Sequence, residues 1–239
     1  MGRTFENRKH AMAKRGDRDA KAFTRAGRQI SMAVKAGGQD PDTNPALRRA
    51  IQNARAVNMP KDRINNAIEK ALGVGDAADY QQIFYEGYGP HGVAILVEAA
   101  TDNPTRTVAN VRHAFKKEDG NLGNTGSVSF LFEPFGVFRV RTDGHDRDAL
   151  ELDLIDHGLE DVSEVQDDEP ILVLRSSREA FGTLQAALED RGINVESSGI
   201  EWIPKTTADV SEEQQEQVLA LLDRLEQDDD VLNVFSTLP

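Results

Sequence analysis

The chain has 239 residues, a formal net charge of -13 and no cysteine. A chain of this length can form two or three domains with cores of their own, and the lack of cysteine excludes disulfides, thiolate nucleophiles and cysteine-ligated metal sites. No apolar run is long enough to cross a bilayer, and the basic N-terminus lacks the apolar segment of a secretory signal, so we expect a cytoplasmic protein without a membrane partner.

The charge is distributed unevenly along the chain. Residues 1–75 contain 16 Lys and Arg against 7 Asp and Glu, whereas residues 76–239 contain 12 against 34. Such a chain is a candidate for binding a polyanion through its basic part only, because the acidic part would repel the same ligand. Two simpler interpretations stay open: the basic and acidic parts pack on each other, or the basic residues form a solvated surface.

The first predicted element is a long helix from about residue 3 to residue 35. Its second half carries apolar residues at the spacing of one buried face, namely Phe23, Gly27, Ile30 and Val34. Lys and Arg repeat with the same rhythm on the opposite side, which predicts a basic row facing away from the core, and Gly16 is a potential break. The residues predicted to contact nucleic-acid phosphates in this helix are Arg8, Lys9, Lys14, Arg15, Arg18, Lys21, Arg25 and Arg28.

Two further helices complete a predicted basic N-terminal domain over residues 1–75. Asn44 followed by Pro45 is a strong helix start, because Asn caps a helix and Pro is favoured in its first turn. A third helix follows the break at residues 58–60 and ends at Gly73 and Gly75. We therefore predict a small domain of three main helices.

Beyond residue 76 the pattern changes to strands alternating with helices. Residues 85–92, YEGYGPHG, are predicted to be a turn-rich lead-in because of their Gly and Pro. Residues 93–99 form a nearly continuous apolar run, as expected for a strand covered on both faces. Asn103 and Pro104 then start a helix, and residues 127–132 are predicted to form the next strand.

From Gly136 the pattern restarts. Strands are predicted at residues 137–141, 161–165, 171–174 and 193–196, and helices at residues 146–157 and 179–191. This is a complete β-α-β-β-α-β unit, which is the split βαβ arrangement of ferredoxin-like domains.

The last predicted elements are a strand at residues 201–204, a helix opened by the capping box of Ser211 and Gln214, and a strand at residues 231–235. We expect them to complete the sheet begun at residue 93. Residues 76–135 and 200–239 would then form one split α/β domain, into which an acidic α/β domain of residues 136–199 is inserted. Three consecutive independent pieces are the weaker alternative, because an isolated βαβ unit leaves a sheet face and edges uncovered.

The predicted fold class is therefore α+β and multidomain. It combines an N-terminal three-helix domain with two ferredoxin-like (split βαβ) α/β domains, one inserted in the other.

No residue pattern indicates catalysis or a bound metal. The histidines are scattered without metal-ligand spacing, at His10, His91, His113, His145 and His157. Residues 143–148 lack the spacing of a calcium-binding loop. No nucleophile–base pair or carboxylate pair stands out, so we expect a protein that is not an enzyme and has no catalytic residue, metal or cofactor.

Two further features could contact a phosphate. The Gly-rich loop at residues 120–127, GNLGNTGS, lacks the Lys of a P-loop and leads from helix to strand, so a tight turn is the simpler interpretation. Its small residues and free amides would still suit a backbone phosphate. Arg106, which opens its helix, is predicted to be either a nucleic-acid contact or a salt-bridge residue.

Several motifs together resemble the YebC/PmpR family, which includes the mitochondrial translational activator of cytochrome oxidase I. They are GGQDPDTN at residues 37–44, NMPKD at 58–62, YEGYGP at 85–90, DNPTRT at 102–107, and GNLG at 120–123 with GSV at 126–128. The family typically opens with Gly-His-Ser-Lys-Trp, whereas this chain has GRTFENRK at residues 2–9 and so resembles a variant branch.

The resemblance implies three domains around a central cavity and no enzymatic activity. It implies a cytoplasmic regulator of transcription that binds DNA, or a translation factor that acts on ribosomes stalled at proline-rich stretches. A third hypothesis is a protein-interaction module, whose acidic α/β domains bind a partner protein while the basic domain only packs on them. Phosphate contacts do not distinguish DNA from rRNA, so the first two stay open. We expect a monomer.

Overall fold

The structure, a computed structural model, describes residues 3–73, 79–142, 146–165 and 170–239, and the side chains from residue 19 onward. The described helices are α1 Arg3–Gly37, α2 Pro45–Ala56, α3 Lys61–Leu72, α4 Pro104–Lys117, α5 Arg147–Leu154, α6 Phe181–Asp190 and α7 Glu212–Glu226. The described strands are β1 Gln81–Tyr88, β2 Ala94–Thr101, β3 Asn121–Leu122, β4 Phe132–Arg141, β5 Leu159–Val165, β6 Ile171–Ser177, β7 Val195–Pro204 and β8 Val231–Ser236. They form an α+β fold with a helical N-terminal part and two antiparallel sheets, which confirms the predicted fold class.

The three N-terminal helices pack around a small core of Ala, Ile and Leu side chains. Ile30 and Val34 of α1 are buried against Leu47 of α2 and Ile64 of α3. The predicted break at Gly16 is wrong, because α1 continues through this residue. A single glycine costs a helix only about 1 kcal/mol relative to alanine, which is too little to end it by itself.

Asn44 connects the end of α1 to the start of α2. Its side-chain oxygen accepts a hydrogen bond from the Leu47 N–H at 3.1 Å, the predicted N-cap contact. Its amide nitrogen donates to the carbonyl groups of Ala33 and Gly38, each at 2.8 Å. One buried amide therefore bonds to both helix ends and connects them.

The first sheet has the strand order β3-β1-β2-β8. All eight residues of β2 are buried, as its apolar run predicted. One face of the sheet packs on α4 and α7 through residues such as Val97, Phe115 and Leu221, and the other packs on Phe132. β1 was not predicted: residues 85–88 of the expected lead-in belong to this strand, which pairs with β2 along its whole length, whereas residues 90–92 form a short helical turn.

The second sheet has the strand order β5-β6-β4-β7. In chain order these strands and helices read β4-α5-β5-β6-α6-β7, the predicted ferredoxin-like arrangement. Its core combines both helices with the inner face of the sheet, through residues such as Phe138, Leu154, Leu174 and Leu188. The first sheet has a similar layout. The strand beside its edge strand β3 is β1, which precedes the other three strands in the chain, whereas the corresponding strand of the second sheet, β6, follows β5.

Two predicted strands are wrong in their boundaries and in their sheet. Residues 129–131 form a short helical turn instead of a strand, and β4 begins at Phe132. Residues 201–204 belong to β7, which pairs with β4 from Val140↔Val195 to Phe132↔Pro204 in the second sheet. Only β8, of the two C-terminal strands, joins the first sheet, where it pairs with β2.

The division into three domains remains a prediction after this correction. Because β4 and β7 lie wholly in the second sheet, we propose that the inserted domain extends from about residue 132 to residue 204, rather than over residues 136–199. None of the described helices combines the length and the apolar character needed to cross a membrane.

Candidate nucleic-acid interface

The predicted basic row divides into two parts along α1. Arg8, Lys9, Lys14, Arg15 and Arg18 lie in its N-terminal half, where the helical backbone is described but the side chains are not. Lys21 is half-buried and has no ion pair among the side chains that the structure describes.

Arg25 and Arg28, further along the same helix, contact the acidic C-terminal part of the chain. Arg25 donates from Nη2 to the carbonyl oxygen of Glu226 at 2.5 Å. Arg28 donates from Nη1 to Asp230 Oδ1 at 2.6 Å and to the carbonyl oxygen of Ala100 at 2.7 Å, and only 12% of its side chain is exposed. These two residues lie opposite the apolar stripe, as predicted, but the face that they occupy is covered by another part of the chain.

The physical reason lies in what covers the helix. Periodicity shows which side chains share a face, but it does not show whether water or another part of the chain covers that face. Here the apolar stripe packs on α2 and α3, and the opposite face packs on the segment between α7 and β8. For these two arginines, the simpler interpretation of basic and acidic parts packing together describes the structure.

Asp230 is the centre of this contact. Its carboxylate is 4% exposed and accepts hydrogen bonds from Arg28, from Arg106 Nη2 at 2.8 Å, from Thr107 Oγ1 at 2.5 Å and from Thr101 Oγ1 at 3.2 Å. Burial opposes ionisation, but the hydrogen bonds from Thr107, Arg106 and Arg28 outweigh it and hold the pKa of Asp230 below its ordinary value.

Arg106 opens α4 as predicted, and its N–H donates to the N-cap oxygen of Asn103 at 3.1 Å. Its guanidinium binds Asp230 and also Asp102, at 2.9 Å, and these two hydrogen bonds raise the pKa of Arg106. The structure thus brings Arg28 and Arg106 onto one carboxylate. Since 46% of the Arg106 side chain is exposed, a phosphate can still reach this residue.

A cavity of about 610 Å³ opens beside this network. The charged groups around it are largely paired with each other: Arg224 donates to Glu118 at 2.6 Å, and Asn110 donates to Asp228 at 2.9 Å. Three consecutive aspartates, residues 228–230, also line it. This cavity therefore offers an anionic ligand little unpaired positive charge.

Several backbone amides in and just after the Gly-rich loop are bound within the chain. The carboxylate of Glu86 in β1 is buried and accepts hydrogen bonds from the N–H groups of Gly126, Val128 and Ser129, each at 2.8 Å. Burial opposes ionisation of Glu86, but these backbone N–H groups hold its pKa below the ordinary value. An internal carboxylate thus binds amides at the end of the loop that were considered as a possible phosphate site, and the simpler interpretation as a tight turn fits this loop.

The outer face of α4 was missed in the sequence. Arg112, Lys116 and Lys117 are exposed, and none of them has an ion pair among the described residues. With Arg106 they make α4 basic along its length. The spacing of Arg112 and Lys116, one helical turn apart, was a readable signal for this surface.

The histidines do not assemble into a site where the structure describes them. His91 lies 2.7 Å from the side-chain oxygen of Gln217, and His157 lies 3.1 Å from Arg191 Nη2. Within the described ranges, no group of three or more His, Asp or Glu residues could hold a metal ion. The side chain of His10, and His145 as a whole, lie outside the described part of the chain.

Comparisons with known proteins cover nearly the whole chain. A family model described as "TACO1/YebC protein N-terminal domain" matches residues 3–74, and one described as "TACO1/YebC second and third domain" matches residues 80–238. The chain is 56% identical over 240 residues to a protein of Anaeromyxobacter dehalogenans strain 2CP-C and 51% identical over 240 residues to one of Myxococcus xanthus, in each case covering 100% of both chains. Both relatives carry the description "Probable transcriptional regulatory protein".

A solved structure is also similar. It is that of a conserved hypothetical protein from Aquifex aeolicus, with a TM-score of 0.81 and 38% sequence identity. The match covers 92% of this chain and 90% of the other. At this level of similarity the two proteins share their fold over nearly their entire length.

Proposed function

The chain belongs to the TACO1/YebC family, and we propose that it is a non-enzymatic regulator of gene expression that binds DNA in the cytoplasm as a monomer and regulates transcription. The names of its relatives support regulation of transcription at the level of the family. Binding to nucleic acid would take place through the basic helical domain.

The observation that carries this proposal is the concentration of positive charge on α1. Eight Lys and Arg residues lie between residues 8 and 28 of this one helix, in a chain whose net charge is -13. Of the three whose side chains the structure describes, Arg25 and Arg28 bind the acidic part of the chain and Lys21 has no ion pair with a described residue. We therefore assign phosphate contacts to Arg8, Lys9, Lys14, Arg15, Arg18 and Lys21, and we assign to Arg25 and Arg28 the role of holding α1 on the acidic part.

Arg106 and the outer face of α4 form a second basic surface that supports the same proposal. Together with α1 they would give a ligand two basic helices, while the acidic residues elsewhere would repel it and restrict how it docks. The long α1 would span about 50 Å at 1.5 Å per residue, which is enough to follow a nucleic-acid backbone over several phosphates.

The test is a salt titration of duplex DNA binding with full-length variants. Lys14→Ala, Arg15→Ala and Arg18→Ala combined should weaken binding to any sequence and should flatten the slope of log K against log salt by about 0.7–0.9 per lost contact. Arg25 and Arg28 are left intact, because their removal would also disturb Asp230.

The matched control removes three arginines from the second sheet and its helices, Arg147, Arg175 and Arg191. This change has the same charge but should leave both the affinity and the salt slope close to wild type. Equal binding by the N-terminal variant and the wild type, with equal salt slopes and similar melting curves, would refute the role of α1.

The alternative is a ribosome-associated translation factor that relieves stalling at proline-rich stretches. It uses the same basic surface, and no recognition helix for sequence-specific DNA reading stands out in the described fold. Sedimentation of the protein with ribosomes, together with weak duplex binding, would favour this alternative. Affinity for a partner protein and for no nucleic acid would favour the acidic protein-interaction module instead.

A further inference from the structure

A second cavity, of about 460 Å³, lies where the helical part and the two sheets meet. Its walls come from α1 and α2, from β1, β2 and β8 of the first sheet, and from β7 and the turn before α6 in the second. Four of the eight lining residues on the helical side are alanines, whose small side chains leave space. This volume is within the range of small-molecule sites in proteins.

Two arginines line this cavity without a carboxylate partner. The guanidinium of Arg49 stacks over the ring of Phe181 at 5.1 Å from the ring centre, and Arg178 precedes Phe181 in a turn where the Phe181 N–H donates to the Arg178 carbonyl at 3.4 Å. Both arginines line the cavity, and both contact Phe181, Arg49 through its side chain and Arg178 through its backbone. Neither has an ion pair with any described residue.

The environment of Arg49 is unfavourable for an unpaired cation. Arg49 is half-buried, and burial lowers its pKa with no acidic neighbour to oppose the shift. A partly desolvated charge without a counter-ion is destabilising, and a bound anion would offset this effect. Guanidinium groups bind phosphate with two parallel hydrogen bonds, which makes a phosphate the fitting anion.

A buried hydroxyl group lines the same cavity. Ser198 is 4% exposed, and its backbone N–H and carbonyl are both bound to the side chain of Asn53, at 2.9 and 2.8 Å. Its Oγ atom has almost no accessible surface and no hydrogen-bond partner among the described residues. Because buried hydroxyl groups are nearly always hydrogen-bonded, Ser198 marks an unsatisfied polar group within the cavity wall.

The one carboxylate in the cavity wall is already satisfied. The oxygens of Glu98 accept from the side-chain amides of Gln82 and of Asn233, the latter at 2.7 Å. The residues that line the cavity therefore include two arginines and one glutamate, whose carboxylate is bound by neutral donors. The side-chain amides of Gln82 and Asn233 have further donor and acceptor positions, which can bind polar groups of a ligand.

The wall also contains an aromatic pair. Phe84 and Trp202 pack edge to face, with ring centres 5.6 Å apart and an angle of 67° between the rings, and Trp202 is partly exposed. A partly exposed aromatic ring is a surface on which a nucleobase can stack, whatever its sequence.

We propose that this cavity binds a nucleoside monophosphate, with the phosphate on Arg49 and Arg178 and the base against Trp202. The nucleotide can be free or can be the phosphorylated end of a strand, since the two have the same chemistry. The inference does not rest on the proposed function, because it involves no residue of the basic row of α1.

The experiment is a calorimetric titration of the full-length protein with AMP, GMP, CMP and UMP, beside adenosine and inorganic phosphate. At least one nucleotide should bind more tightly than either of its parts. Arg178→Ala should lower this affinity by about tenfold or more, as expected for loss of a charge-assisted contact. Arg49→Lys keeps the positive charge and the aliphatic part of the side chain but loses the paired N–H donors of the guanidinium group. This variant should also bind the nucleotide more weakly.

The control is Arg147→Ala, which removes an exposed arginine of α5 that does not line the cavity. It should bind the nucleotide as the wild type does. If a 5′-phosphorylated trinucleotide competes with the nucleotide, a strand end is a source of the ligand. If it does not compete, the ligand is the free nucleotide. No nucleotide binding by the wild type, or equal affinity of Arg178→Ala and Arg147→Ala, would overturn the proposal.

Discussion

Asp230 shows how one residue can connect several elements. It follows two other aspartates and looks like part of a solvated acidic turn, yet its carboxylate is buried and binds Arg28 of α1 and Arg106 and Thr107 of α4. A buried carboxylate with this many donors is stable only while the donors stay in place. Asp230 therefore makes the position of α1 depend on the end of the first sheet.

Arg28→Ala should lower the free energy of unfolding by about 2–3 kcal/mol, because it leaves a buried carboxylate with fewer compensating hydrogen bonds. Chemical denaturation at neutral pH measures this change. The control is Arg175→Ala, whose partner Asp161 is exposed and whose effect should stay within about 1 kcal/mol. A similar small effect for both variants would mean that Arg28 contributes no more than a surface ion pair.

The lowered pKa values of Glu86 and Asp230 predict a dependence of stability on pH. A carboxyl group whose pKa is lower in the folded state stabilises the fold above its unfolded pKa, which is near 4, and this contribution is lost as the pH falls through the folded pKa. Stability should therefore decrease on acidification below about pH 5.

Glu86→Gln separates one of these contributions. Its amide cannot accept from three backbone N–H groups as the carboxylate does, so the variant should be less stable at pH 7 and should lose less stability between pH 7 and pH 3. Denaturation curves of both proteins across this range give the comparison. Parallel pH profiles would show that the Glu86 carboxylate is not a source of the acid sensitivity.

At the scale of elements, the long strands β4 and β7 decide how the two sheets are divided. Gly136 and Gly199 were expected to lie near domain boundaries, but both are internal to these strands and Gly199 pairs with Val137 opposite. Gly136 is required by close packing: an added Cβ would lie 2.5 Å from Ser176 Oγ and 2.7 Å from a ring carbon of Phe181. At Gly199 the space around an added Cβ is open to 4 Å.

Gly136→Ala should therefore lower the free energy of unfolding by about 1–3 kcal/mol, as overpacking usually does. Gly199→Ala, in the neighbouring strand, is the matched control and should be neutral or slightly stabilising. Thermal unfolding of both variants provides the measurement. If Gly199→Ala proved the more harmful of the two, close packing at Gly136 would not explain the glycine there.

At the scale of the whole molecule, the helical part docks on the free edge of the second sheet. β7 is an edge strand, and Asn53 of α2 pairs with the backbone of Ser198 in the way that a neighbouring strand would. Gln52 donates to the carbonyl of Val195 in the same strand. This contact covers a sheet edge, and Asn53 and Ser198 also line the cavity of about 460 Å³.

Asn53→Ala should loosen this contact, because it leaves the N–H and the carbonyl of Ser198 without partners. We expect faster amide hydrogen exchange at Ser198 and a loss of about 1–3 kcal/mol in the free energy of unfolding. The control is Asn65→Ala, at an exposed position of α3, because it measures the effect of the higher helix propensity of alanine alone. It should leave amide exchange at Ser198 unchanged and the free energy of unfolding unchanged or slightly higher. Unaltered exchange at Ser198 in Asn53→Ala would contradict the docking role.

Local patterns in the sequence predicted much of the secondary structure. The cap at Asn44, the capping box at Ser211, the buried run of β2 and the order of elements in the second sheet were all readable, because each depends on residues that are close in the chain. The motifs at residues 37–44 and 102–107 also identified the family, since together they are specific to it.

What only the tertiary structure decided is which surfaces meet. The sequence placed Arg25 and Arg28 on one face of α1, but it could not show that the acidic segment before β8 covers this face. It marked the loop after α4 as a possible anion site, but could not show that Glu86, from a strand earlier in the chain, binds its amides. Periodicity and spacing describe short stretches of chain, whereas ion pairs, strand neighbours and cavities depend on residues that are far apart in sequence, and these are fixed only when the domains pack.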